Sequence, residues 1–596
     1  MCIVTAISLN TLSSKPTYLN KDGEIVDNQY NIGRNDIDTT LAGDFTVTGV
    51  TEYSKGRYEN SSAYNEGFDY DDFLYYNLGA GLRPTVGSGY SETSSMSYAG
   101  RLNYSFLGRY LVSASIRWDG YSQLFKKWDT FPAFSVGWRV SDEPFMESTR
   151  NWLDNLKLRA GYGITGNANI PAYVSLTKVT NSPNELNLGN GQVMSYILDE
   201  YIGNKELTWE KSYNWNIGID FSLFNSRIDG SVEYYTTDSK GVLYAKDLPS
   251  VYGSFTGASA YKMYSNIARI RNHGVEITLN TRNVVNKDFT WSTTFTFAAN
   301  KEQVKEIDLG NNINAETLKS KGLFIGQPVT TYFGYKKEGI WQIGDEDRAA
   351  CFGRMPGDVR LGTTNLVWDP NYTYTGFVRD NSGNILTDEN GNQITKEYHG
   401  AYYNPAEDGE NGEHVYYTSE NNYTFSEVDK QILGHKVPDW TMGLQNQFTW
   451  KGFDLTIDMV MRWGQMVNGN LLGWYNASDA NVPESYDYWT YDNPTNCYPR
   501  PQFEKDMKES RKEEKASLTY VNGSFFKIKN ISLGYTFPNR LIDKLGLTKL
   551  RVYGTIQNPI IINKERKLLK GMDPESGCTD AYPLFRTMVF GVNVSF

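Results

Sequence analysis

The sequence predicts an all-β fold, and within that class a transmembrane antiparallel β-barrel. Segments of about ten residues alternate apolar and polar side chains along most of the chain. The apolar sides of these segments lack charged residues, and the connections between segments are either very short or very long. Each observation is typical of strands that cross an outer membrane with one face in lipid.

The composition narrows the functional classes. The 596 residues carry a formal net charge of −11, with 14% aromatic and 39% hydrophobic residues. Such a mixture suits many turns and half-buried strands better than helical repeats. The acidic balance provides no basic surface, so we expect no nucleic-acid partner. No stretch approaches the roughly 18 apolar residues that a membrane helix requires.

Cysteine and histidine are too few and too dispersed to predict a metal site or another cofactor. The cysteines show no C-x-x-C spacing, and the histidines form no H-E-x-x-H or H-x-x-x-H pair. Cys497 and Cys578 are open to two interpretations, a disulfide in an oxidising compartment or free thiols. The sequence leaves both open because it does not supply the Cα separation that a disulfide requires.

Three hairpins show the alternation most clearly, and in each the apolar residues of both strands are predicted to share one face. They are Tyr98–Phe106 with Tyr110–Trp118 across Leu107-Gly108, Trp215–Phe221 with Ile228–Tyr234 across Asn225-Ser226, and Met442–Trp450 with Phe453–Met461 across Lys451-Gly452.

About fifteen such strands are predicted in total. They begin near Asp44, Met96, Arg109, Phe134, Leu156, Ser212, Arg227, Val275, Phe289, Val329, Trp440, Phe453, Phe526, Leu550 and Phe585. Across nearly all of them the apolar face is free of charge. Lipid explains this, because a charge on the outer face of a barrel costs about 2 to 4 kcal/mol at mid-depth.

Alternation alone leaves a soluble β-sandwich or propeller open, since both folds alternate as well. Connection lengths favour the barrel, because turns of about two residues contrast with long connections over 340–438 and 464–523. The final strand ends on the aromatic Phe596. An open strand edge in lipid costs several kcal/mol per unpaired group, so we expect this strand to close against another.

Several stretches carry a resemblance to a known family. They include LNYSFLGRYLVSASIRWDGYSQL, WDTFPAFSVGWRVSDEPFM, LKLRAGYGITGNANIPAY, YWTYDNPTNCYPRPQ, FFKIKNISLGYTFP, KLRVYGTIQN and the closing FGVNVSF. In order and spacing they resemble the C-terminal barrel of the SusC/RagA family of TonB-dependent outer-membrane transporters, which are nutrient importers of Bacteroidetes.

The resemblance implies a 22-stranded barrel with long extracellular loops and short periplasmic turns, of which this chain supplies about 15 or 16 strands. Residues 1–596 are therefore expected to form the C-terminal part of the barrel, without the family's signal peptide, carboxypeptidase-like domain, TonB box and plug. The implied location is the cell outer membrane, as a multi-pass barrel without enzymatic activity. The implied partners are a SusD-like lipoprotein, the TonB–ExbB–ExbD complex acting through the absent N-terminal region, the barrel-assembly machinery and outer-membrane lipid.

Three groups of residues are candidates for function. Loop aromatics and one arginine are predicted either to contact ligand or partner or to pack within the loop, namely Trp474, Tyr475, Tyr486, Tyr488, Trp489, Tyr491 and Arg500. Polar side chains predicted to face the barrel interior are Arg101, Arg117, Lys157, Arg159, Asp220 and Glu233. By resemblance, Phe590, Val592, Val594 and Phe596 form the signal read by the barrel-assembly machinery.

Two motifs receive simpler interpretations. Gly161, Gly163 and Gly166 spell G-x-G-x-x-G, but no helix pattern follows them to bind a pyrophosphate, so a nucleotide site is not expected. An eight-residue tandem repeat spans 380–395. It predicts paired surface turns, with calcium binding as the alternative, because the ligand spacing of an EF-hand loop is not met.

The predicted function is import of a large nutrient, an oligosaccharide or glycan, across the outer membrane. The alternatives are import of peptides, a passive porin or surface adhesin built on the same barrel, and a secreted β-rich glycan hydrolase.

Overall fold

The computed structural model describes most of the chain, and its residues form two compact units. The described residues are 17–19, 25–27, 43–69, 74–181, 186–187, 192–193, 196–198, 200–252, 260–308, 318–319, 322–379, 384–469, 486–501, 511–569, 572–578 and 584–596. The N-terminal unit comprises residues 1–276 and 301–317, and the C-terminal unit comprises 277–300 and 318–596.

Strands dominate both units. Those up to the shared pair β14 and β15 are β1 (Thr17–Leu19), β2 (Ile25–Asp27), β3 (Gly43–Tyr64), β4 (Thr85–Phe106), β5 (Tyr110–Tyr121), β6 (Trp128–Arg139), β7 (Leu153–Asn167), β8 (Val179–Asn181), β9 (Leu186–Asn187), β10 (Gln192–Val193), β11 (Tyr196–Leu198), β12 (Glu210–Leu223), β13 (Ile228–Asp247), β14 (Lys262–Val285) and β15 (Phe289–Ile307). The later ones are β16 (Thr331–Gly334), β17 (Lys337–Ile340), β18 (Val359–Leu361), β19 (Val367–Phe377), β20 (Thr395–Tyr403), β21 (Tyr416–Tyr417), β22 (Gln431–His435), β23 (Trp440–Trp450), β24 (Phe453–Trp463), β25 (Met466–Asn468), β26 (Tyr520–Asn522), β27 (Phe525–Thr536), β28 (Lys549–Asn563) and β29 (Thr587–Ser595).

Helices are short. The α-helices are α1 (Glu346–Ala350), α2 (Lys512–Ser517), α3 (Asn539–Ile542) and α4 (Arg566–Leu569). The 3-10 helices are Leu74–Ala80, Val140–Asp142, Pro144–Thr149, Ser250–Tyr252, Pro405–Glu407, Glu427–Asp429, Asp543–Leu545 and Pro574–Ser576. Among the described residues, none of these helices has the length and apolar character of a membrane span.

The predicted antiparallel sheet is confirmed. Fourteen strands are hydrogen-bonded in the order β29-β28-β27-β24-β23-β15-β14-β13-β12-β7-β6-β5-β4-β3. Ten of the thirteen neighbouring pairs are consecutive strands of the chain, and the other three are separated only by strands of other sheets. This is the up-and-down connectivity of a barrel wall. Among the described residues, β29 pairs in this sheet only with β28, and β3 only with β4. The expected closure of the last strand therefore stays a prediction.

The three predicted hairpins have the expected register. Tyr98 pairs with Trp118, Ile217 with Tyr234, and Leu444 with Met459, so the apolar residues of each pair share a face. The turn at Leu107-Gly108 is tight because both residues have left-handed φ angles, of 52° and 66°. Such angles match the twist of the flanking strands.

One strand prediction was wrong. The segment beginning near Val329 is not part of the large sheet. Residues Thr331–Gly334 form only the short strand β16, which pairs with β22 in a separate two-stranded sheet. The pairing is interrupted by an irregularity between Tyr332 and Phe333. A strand of four residues is too short to span a bilayer, which requires about 9 to 11.

The long connections of the C-terminal unit contain structure of their own. The connection between β15 and β23 carries the three-stranded sheet β19-β20-β21 and the pair β17-β18. A buried cluster beneath them includes Trp341, Phe352 and Tyr423. The sequence predicted these stretches only as long loops.

Candidate functional site

The apolar faces of the large sheet are exposed. In the N-terminal unit, Trp118, Phe134 and Ile217 expose 48%, 49% and 58% of their surface. In β29, Val592 and Phe590 expose 60% and 83%. Burying a side chain of this kind is worth about 1.5 to 3 kcal/mol, so a water-soluble body would place them inside. Their exposure is what a lipid-facing surface requires.

The opposite face of the N-terminal unit carries a cluster of paired charges centred on Arg159. Its guanidinium donates to Asp220 at 3.2 Å, to Glu233 at 2.5 Å and to the amide oxygen of Asn216 at 3.0 Å. The ammonium of Lys157 lies 3.6 Å from the second carboxylate oxygen of Asp220. The cluster joins three neighbouring strands, β7, β12 and β13, through half-buried side chains.

A glycine allows Arg159 to reach Glu233. Gly218 in β12 pairs with Arg159 on one side and with Glu233 on the other, so the three residues lie in one row across the sheet. A Cβ atom at Gly218 would lie 2.7 Å from the guanidinium carbon of Arg159. Only glycine leaves room for the guanidinium to lie across the middle strand.

The C-terminal unit contains a similar crossing of a strand glycine by an arginine. Gly534 in β27 pairs with Asp454 of β24 and with Tyr553 of β28, and Arg551 lies two residues before Tyr553 on the same face of β28. The guanidinium of Arg551 crosses Gly534 and donates twice to Asp454, at 2.9 and 2.6 Å. A Cβ at Gly534 would lie 2.5 Å from a guanidinium nitrogen. We call each arrangement in which a guanidinium crosses a glycine to reach a carboxylate an arginine clamp. One is formed by Arg159, Gly218 and Glu233, and the other by Arg551, Gly534 and Asp454.

Two further arginines lie on the polar face of the N-terminal unit. Arg117 donates to Asp119 at 2.7 Å and to Glu52 at 3.2 Å, while Arg101 donates to the neutral side chain of Asn103 at 3.2 Å. The register places all six residues predicted to face the interior on this one face, namely Arg101, Arg117, Lys157, Arg159, Asp220 and Glu233. Four of them form the cluster around Arg159. That this face lines a transport route stays a prediction.

The loops of the C-terminal unit enclose a second polar group, centred on Asp358. This carboxylate is fully buried. It accepts from Arg500 at 2.8 Å, lies 2.8 Å from a guanidinium nitrogen of Arg511, and accepts from the backbone N–H of Met355 at 3.1 Å. A buried charge is tolerable only when it is paired in this way.

A second buried carboxylate, Glu514 in α2, lies beside this group. The guanidinium of Arg354 donates to it. Burial raises the pKa of Glu514 above its ordinary value, and the nearby arginines oppose that shift. The Arg354–Glu514 and Arg511–Asp358 ion pairs hold α2 and the residue before it against residues 354–358.

Trp489 packs against the segment Met355–Asp358. Its ring is 2% exposed, and its indole N–H donates to Gln342 at 3.2 Å. Gly357 has a left-handed φ of +92°, and a Cβ there would lie 2.5 Å from the Trp489 ring. The backbone N–H of Arg500 in turn donates to the Gly357 carbonyl at 2.8 Å. Trp489 and Arg500 thus form part of the packed interior of the loops.

Asp487 fixes the adjoining turn. It accepts from the Asn493 side chain at 3.0 Å and from Lys567 and Thr495 at 2.9 Å each. These donors hold the pKa of Asp487 well below its ordinary value, the Asn493 and Lys567 bonds being the largest causes. The turn is therefore ordered by a charged anchor as well as by aromatic packing.

The remaining loop candidates differ in exposure. Tyr486 packs against Tyr498 with ring centroids 5.0 Å apart, and Tyr488 is half-buried. Tyr491 is 70% exposed and contacts Trp489 edge-on. Trp474 and Tyr475 lie outside the described residues. Contact of these aromatics with a ligand or partner stays a prediction, and Tyr491 presents the most open ring.

The cysteines are unpaired in the described part of the chain, and the glycine-rich motif lies within a strand. Cys351, Cys497 and Cys578 are free thiols, and burial raises the pKa of Cys351 and of Cys578 to about 11. The G-x-G-x-x-G residues lie within β7, where a Cβ at Gly166 would lie 2.3 Å from the ring of Phe131. Gly166 therefore serves close packing in a strand.

The tandem repeat at 380–395 contains a surface turn in its second half. Asp388 accepts from the backbone N–H groups of Asn390 and Asn392, both at 2.8 Å. The first four residues of the repeat lie outside the described residues. Among the residues that the structure describes, no group of three or more His, Cys, Asp or Glu is placed to hold a metal ion.

Comparison with known proteins gives consistent matches. The family described as "TonB dependent receptor-like, beta-barrel" matches residues 5–377. TonB-dependent receptor P3 of Formosa agariphila is 27% identical over 584 residues, which cover 93% of this chain and 51% of that protein. TonB-dependent receptor SusC of Bacteroides thetaiotaomicron is 28% identical, with coverage of 97% and 51%. The chain therefore spans about half the length of these relatives.

A solved structure shares the fold. The structure of the RagAB peptide transporter superposes with a TM-score of 0.66 at 22% identity, covering 95% of this chain and 54% of that chain. At this identity the likeness establishes the architecture of the strands and leaves the substrate open.

Proposed function

The chain belongs to the TonB-dependent receptor β-barrel family and is of the SusC/RagA type, and from this premise we propose that the whole protein imports an oligosaccharide or glycan. Members of this family are outer-membrane transport proteins without enzymatic activity, and this chain is accordingly an outer-membrane protein. One observation carries the proposal. In both units, strands of the large sheet expose apolar side chains on one side and carry paired charges on the other.

The two sides have separate roles in this proposal. Outer-membrane lipid contacts the exposed apolar side chains, where an ion would be costly. The polar face, including the cluster around Arg159, surrounds a plug contributed by the rest of the protein and lines the route once the plug is displaced. The charges on this face are already paired across neighbouring strands. A neutral ligand that displaces water from the face therefore does not have to desolvate an unpaired ion.

Partners follow from the same assignment. A SusD-like surface lipoprotein covers the long loops and traps the ligand, and the TonB–ExbB–ExbD complex pulls on the N-terminal region to open the route. The barrel-assembly machinery recognises the terminal strand, whose alternating Phe590, Val592, Val594 and Phe596 are exposed in the structure. Co-purification of a surface lipoprotein with the whole protein from outer membranes checks the first of these partners.

Growth experiments test the substrate and the energy source. A deletion strain and the complemented strain are grown on a panel of polysaccharides and peptides as sole carbon sources, each with and without a functional TonB gene. We expect loss of growth on at least one glycan, restored by the wild-type gene only when TonB is present. Loss on peptides alone would replace the glycan by a peptide substrate. Uptake that does not depend on TonB would indicate a passive porin and overturn the proposal.

A further inference from the structure

An apolar groove lies on the exposed face of the last strands of the C-terminal unit. It has a volume of about 540 Å³ and is lined by residues of β24, β27, β28 and β29. Leu533, Phe590 and Val592 are among them, and they expose 52%, 83% and 60% of their surface. Of the lining residues within the described chain, none is charged. We call this feature the outer groove.

A glycine creates the outer groove. Gly554 of β28 pairs with Leu533 on one side and with Phe590 on the other, so the three residues lie in one row across the sheet. A Cβ atom at Gly554 would lie 3.3 Å from the Phe590 ring. Gly554 therefore leaves a gap between two large apolar side chains. In a bilayer such a gap takes up hydrocarbon, because water there would lack hydrogen-bond partners and an empty gap forfeits dispersion contacts.

The outer groove begins at the level of the lipid headgroups. Phe453 lines it and directly follows the tight turn Lys451-Gly452, and short turns of this kind mark the periplasmic end of an outer-membrane barrel. The ring centroids of Phe453 and Tyr535 are 4.6 Å apart, and those of Tyr535 and Phe537 are 5.0 Å apart. Aromatic side chains gather at the two membrane interfaces of such barrels. The groove therefore runs from the periplasmic interface into the hydrocarbon.

Two connections at this end carry exposed cations. The turn after β23 and the connection 537–548 after β27 lie side by side, because the Thr536 N–H donates to the Gly452 carbonyl at 2.8 Å. The exposed cations of these two connections are Lys451, Arg540 and Lys544. None of the three forms an ion pair with a carboxylate among the described residues. The one acidic residue in the two connections is Asp543, so they present a net positive charge to the membrane surface.

The connection 537–548 also has the pattern of a segment that lies in the membrane interface. Ile542 is 2% exposed and anchors it, whereas Leu541 exposes 60% of its surface beside Arg540. An exposed apolar side chain next to basic residues suits the boundary between headgroups and acyl chains. The Lys451 ammonium lies 5.9 Å from the centroid of the Trp450 ring. Both cationic connections are therefore at the depth where lipid phosphates lie.

The groove and the cations together match the two parts of a lipid molecule. Phosphate oxygens accept charge-assisted hydrogen bonds from lysine and arginine. We propose that the outer groove is a binding site for an anionic phospholipid of the periplasmic leaflet, with an acyl chain along Gly554. The phosphate group contacts Lys451, Arg540 and Lys544. This proposal rests on the outer-membrane location that the proposed function assigns to the protein.

Native mass spectrometry of the purified complete protein tests the site. The protein in detergent is titrated with dioleoylphosphatidylglycerol, which is anionic, and with dioleoylphosphatidylcholine, which has the same chains and no net charge. Glycerophosphoglycerol supplies the headgroup without acyl chains. We expect the anionic lipid to bind at least about 10-fold more tightly than either of the other two probes. Equal affinity for the two lipids, or equal affinity for the anionic lipid and its isolated headgroup, would overturn the proposal.

Filling the groove assigns the acyl chain to it. Gly554→Leu places a side chain where the acyl chain would lie, so the anionic lipid should bind about 5- to 10-fold more weakly. Gly100→Leu is the matched control, because Gly100 lies on the apolar face of β4 and its Cβ would be 4.0 Å from the nearest atom, in Ile116. This control should bind the lipid within about 2-fold of the wild type.

Removing cations assigns the phosphate. The double variant Arg540→Gln with Lys544→Gln should weaken binding of the anionic lipid about 5- to 10-fold and leave binding of the uncharged lipid unchanged. Arg139→Gln with Arg150→Gln is the matched control in the N-terminal unit. Both of these arginines are exposed, and each already lies 4.0 or 3.9 Å from a carboxylate. The control should therefore retain the wild-type affinity.

The outcomes separate this proposal from the outer-membrane location itself. Unchanged affinity in both Gly554→Leu and the Arg540 and Lys544 double variant, with normal heat-modifiable migration on gels as the folding check, would overturn the lipid site. If Gly554→Leu instead dissociates a dimer of the complete protein and the two lipids bind alike, a second copy occupies the groove and the proposal is also overturned. Spin labels at Ile217 and Ile219 that still favour oxygen would show that the lipid-facing surface stands while this site fails. Loss of that preference would overturn the location.

Discussion

Replacing Gly218 with alanine tests the arginine clamp of the N-terminal unit. The added Cβ would lie 2.7 Å from the guanidinium carbon of Arg159 and 2.9 Å from two of its nitrogens. Real Cβ atoms essentially never approach a neighbour within 3.0 Å. The guanidinium must therefore move away, and it then loses the contacts to Glu233 at 2.5 Å and to Asp220 at 3.2 Å.

The cost follows from these contacts. Hydrogen bonds between charged groups contribute about 1.5 to 3 kcal/mol each. The three side chains remain between 23% and 30% exposed, and solvent screening reduces their combined loss to about 2 kcal/mol. Alanine in a strand regains about 0.5 to 1 kcal/mol relative to glycine. We expect Gly218→Ala to lower the free energy of unfolding by about 1 to 2 kcal/mol.

The assay is urea-induced unfolding of the complete protein in phospholipid bilayers, followed by tryptophan fluorescence. Gly161→Ala is the matched control, because Gly161 lies on the same polar face and its added Cβ would be 3.7 Å from the nearest atom. We expect this control to be neutral or slightly stabilising. In an Arg159→Met background, Gly218→Ala should no longer be destabilising. Equal stability of Gly218→Ala and Gly161→Ala, or the same loss in the Arg159→Met background, would contradict the clamp.

Two further predictions concern the loops of the C-terminal unit. Gly357→Ala should destabilise the loop core by about 1 to 3 kcal/mol, because the residue has φ +92° and the new Cβ would strike the Trp489 ring. The expected sign is a red shift of tryptophan emission. Gly391→Ala should not show this shift, because Gly391 also has a positive φ but its new Cβ would meet open space. Asp487→Asn should increase proteolysis within 486–501, since Lys567 loses its charged partner. Because the folded-state pKa of Asp487 is depressed, its stabilisation is complete above the unfolded value of about 3.9 and is lost only as pH falls below that value. Protection of this loop in the wild type should therefore not change between about pH 5 and 8, and a loss of protection within that window would contradict the assignment.

Most of the large sheet was predictable from sequence because alternation at a period of two is a direct consequence of strand geometry. Spacing alone assigns Trp118 and Ile217 to an apolar face, and the structure exposes both. The short turns were equally readable, since Gly108 and Gly452 occupy left-handed positions that follow an alternating run. The prediction near Val329 was wrong because a few β-branched and aromatic residues look alike in a barrel strand and in a short strand of a loop.

The side-chain sites were less predictable. Gly218 is an unremarkable strand glycine until the register places it between Arg159 and Glu233. Gly534 is likewise unremarkable until Asp454 pairs with it and the Arg551 side chain crosses it. The ion pairs of Asp358 could not be read from the sequence, because its partners Arg500 and Arg511 are more than a hundred residues away. Each of these sites depends on tertiary pairing that periodicity does not encode.

The lipid contact of the apolar face can be measured directly with spin labels on β12. Single cysteines are introduced at Ile217 and Ile219, on the exposed apolar face, and at Asn214 and Asn216, on the polar face, after replacement of the native cysteines. The complete protein is reconstituted in bilayers, and accessibility to oxygen and to a water-soluble nickel chelate is compared by electron paramagnetic resonance. Labels at Ile217 and Ile219 should favour oxygen and those at Asn214 and Asn216 should not, so the ratio alternates along the strand. A ratio that is the same at all four positions, or that favours the nickel chelate at Ile217 and Ile219, would contradict a lipid-facing apolar side.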